Sequence, residues 1–336
     1  MKSWDLVFTG PRQVVFSQQE LGEPRPGEVQ CRACLSLVSA GTEERCLRGV
    51  FDEGTNWAGW VRYPFKPGYS MCARVLSVGE GVEGFRPGDR VFAHAPHCQY
   101  FNVEAKKVNL LPEHISDREA TWTSMLRTTQ NGARRINIQL GDLVVVIGTG
   151  IVGLLTMQFA KIAGAGTLIA VSSNPRTLAV AREHGADMTV CARAKEAVPE
   201  IARLTGGRMA DVVIDATGNP EVLGSACVMA RKNGKILIIG DTTEPHRQAF
   251  GPGVISNYLT IMGAHSSMFV EEENQFFPYT WNRIHELNYQ FIRQGRLRVD
   301  DLITTVVAPG EMPGLYMKLI DEPSLVTGIL IDWSRL

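Results

Sequence analysis

Val144-Val145-Val146-Ile147-Gly148-Thr149-Gly150-Ile151-Val152-Gly153 is the stretch of this chain whose reading decides the fold. Four apolar residues suit a short buried strand, and glycines follow at GxGxxG spacing. Gly148 permits a tight turn, Gly150 lets backbone approach a pyrophosphate, and Gly153 allows close helix–strand packing, with the next helix N-terminus facing the phosphates. Glycine-rich turns are common, so the flanks decide. The strand precedes, an apolar helix over residues 154–163 follows, and a second strand at 167–171 arrives at the expected distance. The stretch therefore reads as a dinucleotide cradle, with Gly148, Thr149, Gly150, Ile151, Val152 and Gly153 as its contacts.

A length of 336 residues suits two domains, or one interrupted by another. The net charge of -1 offers no basic field for nucleic acid or anionic lipid, so neither partner is expected. The first residues, Met1-Lys2-Ser3-Trp4-Asp5-Leu6, lack the apolar core of a leader, and no apolar run approaches the roughly 20 residues that span a bilayer. A cytoplasmic location is the expectation. Seven cysteines scattered through apolar stretches fit reduced, mostly buried thiols better than a disulfide framework.

Up to about residue 135, short apolar strands alternate with Gly/Pro turns, most clearly at 28–37, 73–78, 90–93 and 100–103. From Gly141 the pattern becomes strand–helix alternation. Strands are expected at 143–147, 167–171, 212–215 and 235–240, with helices such as 176–184 and 219–230 between them, which predicts a parallel sheet. After Ile261-Met262-Gly263-Ala264 the alternation stops. An amphipathic helix at 281–294 leads to an apolar stretch at 302–307 and a final strand at 327–333.

Gly79-Glu80-Gly81-Val82-Glu83-Gly84-Phe85 reads as a hairpin, and Pro87-Gly88-Asp89-Arg90-Val91 as a turn entering a strand. In order, Ser39-Ala40-Gly41-Thr42-Glu43, Pro67-Gly68-Tyr69, Val78-Gly79, Gly88-Asp89-Arg90-Val91, the cradle, Asp215-Ala216-Thr217-Gly218 and Gly234-Lys235-Ile236 resemble the medium-chain dehydrogenase/reductase superfamily over nearly the whole chain. The resemblance implies an α/β protein. Residues 1–127, completed by 266–336, would form a GroES-like mostly-β catalytic domain around a doubly wound parallel Rossmann domain at 128–265, with the active site in the cleft between them. It also implies that Ala216, Thr217, Gly218, Ile239, Gly240, Thr129 and Ala264 line the nicotinamide half, consistent with ligand crevices at the carboxyl ends of strands.

NAD-binding units carry an acidic residue roughly 20 positions after the glycines, on the adenosine ribose. Ser172 stands there instead. Ser172-Ser173-Asn174-Pro175-Arg176 removes a carboxylate that would repel a 2′-phosphate and supplies hydroxyls and a guanidinium that bind one, so NADP(H) is the expected cofactor. The alternative is that Arg176 is a solvated first-turn residue and the cofactor is NAD.

Zinc-dependent members of the superfamily place ligands at positions that align here with Ala40, with Tyr69-Ser70 after Gly68, and with about Met125. None is a useful zinc ligand, and the structural-zinc cysteine lobe is also absent, so no metal is expected. Cys31-Arg32-Ala33-Cys34 has CxxC spacing, but in a strand residues three apart face opposite ways. His94, His97 and Cys98 leave open a local chelate, against ordinary polar lining or packing.

Without a Lewis acid, charge on a carbonyl oxygen must meet hydrogen-bond donors and a proton relay. The resemblance implies Thr42 as the hydroxyl that contacts the substrate oxygen and passes protons. Tyr69 replaces a ligand histidine and directs a phenol into the same space, and Glu43 takes the place of an acidic residue behind the metal, where it orients Tyr69 or acts as base. The plain alternatives are a turn hydroxyl, a packed aromatic, and an ion-pair partner for Arg45 or Arg127. Trp57 in Gly54–Trp60, with His94 and His265, forms the expected substrate side, because aromatic faces beside amides suit a sugar or cyclitol ring. A dimer contact or core packing for the tryptophans is the alternative.

The first functional reading is a zinc-independent NADP(H) oxidoreductase moving hydride between nicotinamide and a secondary alcohol/ketone pair on a polar small molecule. An enoyl or quinone reductase, and a non-catalytic NADPH-binding sensor, remain as alternatives. A slight resemblance of residues 38–43 to bacteriochlorophyllide dehydrogenase-like members favours the first. The resemblance also implies a homodimer or homotetramer, with residues 256–262 as the pairing edge.

Overall fold

The computed structural model describes residues 1–266, 272–274, 279–321 and 328–336. These divide into two compact units, Met1–Ser124 with Val299–Leu336, and Met125–Arg298. In the first, β1 (Lys2–Gly10) and β2 (Gln13–Glu20) make an antiparallel hairpin. β3 (Glu28–Val38) then leads into two helices, α1 (Ala40–Arg48) and α2 (Asn56–Trp60), before β4 (Met71–Val78). β5 (Arg90–Ala93), β6 (Tyr100–Glu104), β7 (Val108–Leu110) and α3 (Asp117–Ala120) follow. The four strands read from alternating apolarity in this part of the sequence are all present. Helix α1 was not foreseen, because Ser39–Glu43 reads as a turn until its buried partners are known.

The second unit begins within α4 (Thr123–Ile136) and alternates β8 (Leu143–Ile147), α5 (Ile151–Ala163), β9 (Thr167–Ser172), α6 (Pro175–Glu183), β10 (Met188–Cys191), α7 (Ala194–Leu204), β11 (Ala210–Asp215), α8 (Val222–Met229) and β12 (Ala230–Ile238). β13 (Thr260–Gly263) and α9 (Trp281–Arg293) complete it. Among the described residues its sheet has the order β10-β9-β8-β11-β12-β13, parallel throughout, with Val145 between Ile169 and Val213. Helices on both faces explain why these strands are near-continuous Val/Ile runs rather than alternating ones. Val144, Val145 and Val146 are completely buried.

Helix α9 clusters with this second unit, beyond the boundary at residue 265 expected where the alternation stops. Two contacts explain it: Gln158 on α5 binds the Arg298 backbone in both directions, at 2.9 and 2.7 Å, and the Arg127 guanidinium lies 3.5 Å from the Trp281 ring centre. The chain then returns to the first unit through β14 (Ile303–Val307), α10 (Met312–Asp321) and β15 (Gly328–Asp332). β15 pairs antiparallel with β3, Leu330 opposite Leu37, giving the order β14-β15-β3-β4-β5-β7 with β6 also on β3. Thr327, the expected first residue of that last strand, lies outside the described residues. Leu6, Phe8, Met71, Tyr316 and Ile331 share one core, so both chain ends build this unit. Among the described residues no helix is long and apolar enough to cross a membrane.

Candidate active site

Strand β8 is central in its sheet, and the chain leaves its carboxyl end through Gly148 at φ 97°, a left-handed conformation that glycine adopts without penalty. A Cβ on Gly153 would lie 1.9 Å from the Gly148 carbonyl oxygen, so α5 packs against the turn at a distance only glycine permits. A Cβ on Gly150 would meet nothing within 4 Å. Gly150 caps α5 without a side-chain hydrogen bond, and the first turn holds no acidic residue. The early N–H groups of Ile151, Val152 and Gly153 are thus left for an anion, which fits a pyrophosphate.

The turn is braced from both sides. Thr149 and Thr177 hydrogen-bond through their hydroxyls, and the buried Asp215 carboxylate accepts from the Thr217 amide (2.9 Å) and hydroxyl (2.6 Å). Gly240 closes against Gly218, where an added Cβ would lie 2.3 Å from the Gly218 nitrogen. At the end of β9, Ser172 Oγ accepts from the Asn174 amide (3.2 Å), and Asn174 caps α6 by accepting from the Arg176 amide (3.0 Å). Ser173 and Arg176 are exposed, and the guanidinium makes no ion pair with a described residue. Thr129 is fully buried and its hydroxyl bonds back to the Met125 and Leu126 carbonyls. Ile239 is buried, while the Ala264 amide donates to the Ile238 carbonyl.

In the first unit Tyr69 is half-buried, with its hydroxyl 3.5 Å from Thr42 Oγ1 and hydrogen-bonded also to Ser39. Burial pushes the phenol up to about 12, against the opposing effect of those two hydroxyls. The Tyr69 carbonyl accepts from Ser124 Oγ (2.8 Å) and faces His94 Nδ1 (3.1 Å), and the His94 ring lies 5.8 Å from the phenol ring. Ser39, Thr42, Tyr69 and His94 thus form one polar group at the start of α1 and the approach to β4.

Glu43 sits behind them and is 1% exposed. Its carboxylate accepts from the Ser39 amide (2.8 Å), from the Tyr316 hydroxyl, and from His97 Nε2 at 3.2 Å. His97 Nδ1 lies 2.8 Å from Ser36 Oγ, which accepts in turn from Trp333 Nε1 at 3.0 Å. One tautomer satisfies every group: Nε2–H donates to Glu43 while Ser36 donates to Nδ1. The expectation that Glu43 orients Tyr69 or serves as base is therefore corrected. Its oxygens are committed to other donors, and two of these, His97 and Tyr316, lie 54 and 273 positions away, beyond any local sequence signal.

Trp57 departs from expectation as well. It is 6% exposed, belongs to the core, and packs on Phe51 and Trp60, so its faces are occupied by neighbours. His265 is exposed, and its carbonyl accepts from Asn131 Nδ2 (3.3 Å). Sequence reasoning missed Ser39 and Thr177 as site-building groups, and weighed His97 only as part of a local chelate or as polar packing. Ser39 had a signal, three positions before the Thr42 hydroxyl in the same motif.

A model described as alcohol dehydrogenase GroES-like domain matches residues 27–125, and one described as zinc-binding dehydrogenase matches 152–282. An alcohol dehydrogenase of Cupriavidus necator is 30% identical over 74% of this chain and 80% of its own length. The chain belongs to the medium-chain dehydrogenase/reductase superfamily. D-guloside 3-dehydrogenase of Escherichia coli is 27% identical over 94% of this chain and 96% of that one. A structure from Sinorhizobium meliloti, bound to NADP, has the same fold, with TM-score 0.81 at 20% identity over 99% of both chains.

Zinc in a member of this superfamily needs three N, S or O donors converging on one point. Ala40 offers none, the Ser70 hydroxyl donates to the Thr121 carbonyl, and Met125 is buried. Nor do the neighbouring candidates converge. His97 is taken by Glu43 and Ser36, the Cys98 thiol turns to the Pro96 carbonyl, and no group of three or more His, Cys, Asp or Glu is placed to hold a metal among the described residues. The donor set does not fit zinc.

Proposed function

We propose that this chain is a zinc-independent, NADP(H)-dependent oxidoreductase of the medium-chain type, interconverting a secondary alcohol and a ketone on a polar, ring-shaped small molecule. The observation that carries the reading is the Tyr69 phenol beside the Ser39 and Thr42 hydroxyls, at the motif position where zinc-dependent members have a ligand. The bound nicotinamide supplies or accepts the hydride. Tyr69, protonated throughout the physiological range, donates to the oxygen that gains charge during reduction. Thr42 and Ser39 then donate to the phenolate oxygen and pass a proton back.

The cradle residues hold the pyrophosphate through backbone N–H groups, and Ser172 and Arg176 take the 2′-phosphate. A cyclic polyol substrate is supported by the relative whose name specifies a guloside. Pairing of two copies through the edge of β13 that no described strand covers is part of the same reading, supported by exposed Phe250, Ile255 and Tyr258 in the segment leading to it. The test is cofactor-linked turnover on ketone, enone and quinone panels, before and after chelation. Ketone reduction with NADPH that survives chelation is expected; turnover only on enones or only with added zinc would overturn the proposal. In the same assay, Ser172→Asp is expected to lower the NADP/NAD ratio of kcat/KM by at least about tenfold, the scale of one lost charge-assisted contact.

A further inference from the structure

The CxxC of β3 separates into two environments. Cys31 is fully buried and pairs in register with Val75 and Phe101. Cys34 sits at a bulge: Ala33 opposes Ala73 and Leu35 opposes Cys72, which leaves Cys34 as the extra residue beside Cys72. Cys34 and Cys72 are close enough that each thiol shifts the acidity of the other. A bulge sets two residues against one, so Cys34 shares with Leu35 the place opposite Cys72, on neighbouring strands of the kind that a cross-strand disulfide joins.

The surroundings divide the labour between the two thiols. The neighbouring Cys72 thiol, with help from Arg74 and Arg32, holds Cys34 below the usual thiol range despite burial and Asp117. Cys72 is pushed up by the neighbouring Cys34 and by burial, with Asp117 adding to the effect. Cys34 is half-buried and reachable, whereas Cys72 is 1% exposed. A reactive thiolate in contact with a protected partner is the arrangement of an attacking and a resolving cysteine.

We propose that Cys34 and Cys72 are a reversible redox pair that closes to a cross-strand disulfide when the protein meets a peroxide. The Cys34 thiolate attacks one peroxide oxygen, the O–O bond breaks, and a sulfenic acid forms as hydroxide leaves and takes up the proton that the thiol had released to solvent, becoming water. Cys72 then attacks the Cys34 sulfur; the S–S bond forms, the S–O bond breaks, and the Cys72 proton departs with the hydroxyl as a second water. Two electrons pass from the sulfurs to the peroxide, and a dithiol reverses the bond. The link joins β3, which runs on to Ser39, to β4, which starts two residues after Tyr69.

The test uses the full chain carrying Cys191→Ser, which removes the exposed thiol and leaves six. It is treated with stoichiometric hydrogen peroxide, alkylated, digested and weighed. The expected result is loss of two thiols and two hydrogens per chain, with the Cys34 and Cys72 peptides joined and released by dithiothreitol. Cleavage after Arg32 separates Cys31 from Cys34, so the link is assigned without ambiguity. Adding Cys72→Ser should stop the reaction at a Cys34 sulfenic acid that dimedone captures. Six thiols surviving peroxide, a link between chains, or a bond to any other cysteine would overturn the proposal, and these readings need no variant of either partner.

Discussion

Two single residues carry consequences that their environments make measurable. Tyr69 works as an acid only while protonated, and burial pushes it up to about 12. Ketone reduction should therefore show no loss of kcat near pH 10, where an ordinary tyrosine ionises. Tyr69→Phe should lower kcat by about 10²-fold, the usual scale for a lost general acid, with KM nearly unchanged. A variant with near-full kcat, or a wild-type rate that halves near pH 10, would remove Tyr69 from the mechanism. His285 tests stability instead. Burial, then the Arg127 charge, lowers it to about 3, so it is neutral in the folded state. A folded value below the unfolded one means that stability is complete above about pH 6.5 and is lost as pH falls toward 3, at up to about 1.4 kcal/mol per pH unit. Urea titrations from pH 7 to 4 should show this slope, and His285→Gln should flatten it; equal slopes would show that another group governs acid unfolding.

At the level of elements, the cradle offers a paired prediction. Gly153→Ala places a methyl 1.9 Å from a backbone oxygen that cannot rotate away, so α5 must shift, at a cost of about 1–3 kcal/mol in unfolding free energy. Gly150→Ala meets only open space and should leave Tm unchanged while weakening NADPH binding by about tenfold or more, because the methyl stands where the phosphates approach. Loss of Tm in both variants, with affinity untouched in both, would contradict the assignment of this turn. The contrast also shows what sequence could reveal. β8, its glycines and β9 were legible because a parallel strand buried on both faces is an unbroken apolar run, and the turn chemistry is local. Helix α1 was not, since its place depends on Glu43 meeting Tyr316 and His97, contacts made only in the folded chain. Trp57 failed for a related reason: an aromatic beside glycines looks the same on paper whether it faces a ligand or Phe51.

For the whole molecule, the open question of scale is how many copies act together. β13 bonds to β12 on one side, and its other edge has no strand among the described residues. An uncovered edge invites pairing with another chain, and proteins that remain monomeric usually block such edges with charge or Pro. Here the approach to β13 carries Ile255 at 90% exposure, Tyr258 at 68% and, slightly earlier, Phe250 at 70%. Burying those three side chains against a two-fold copy removes apolar surface from water on both partners at once, because a symmetric contact uses the same patch twice. Light scattering during gel filtration should thus give at least twice the 37.0 kDa of one chain. Ile255→Asp with Tyr258→Asp should shift the protein to monomer, since both copies of each carboxylate would meet in the same contact. A wild-type chain that elutes as a monomer at micromolar concentration would rule out this edge as an interface, and an undisturbed dimer in the double variant would move the interface elsewhere.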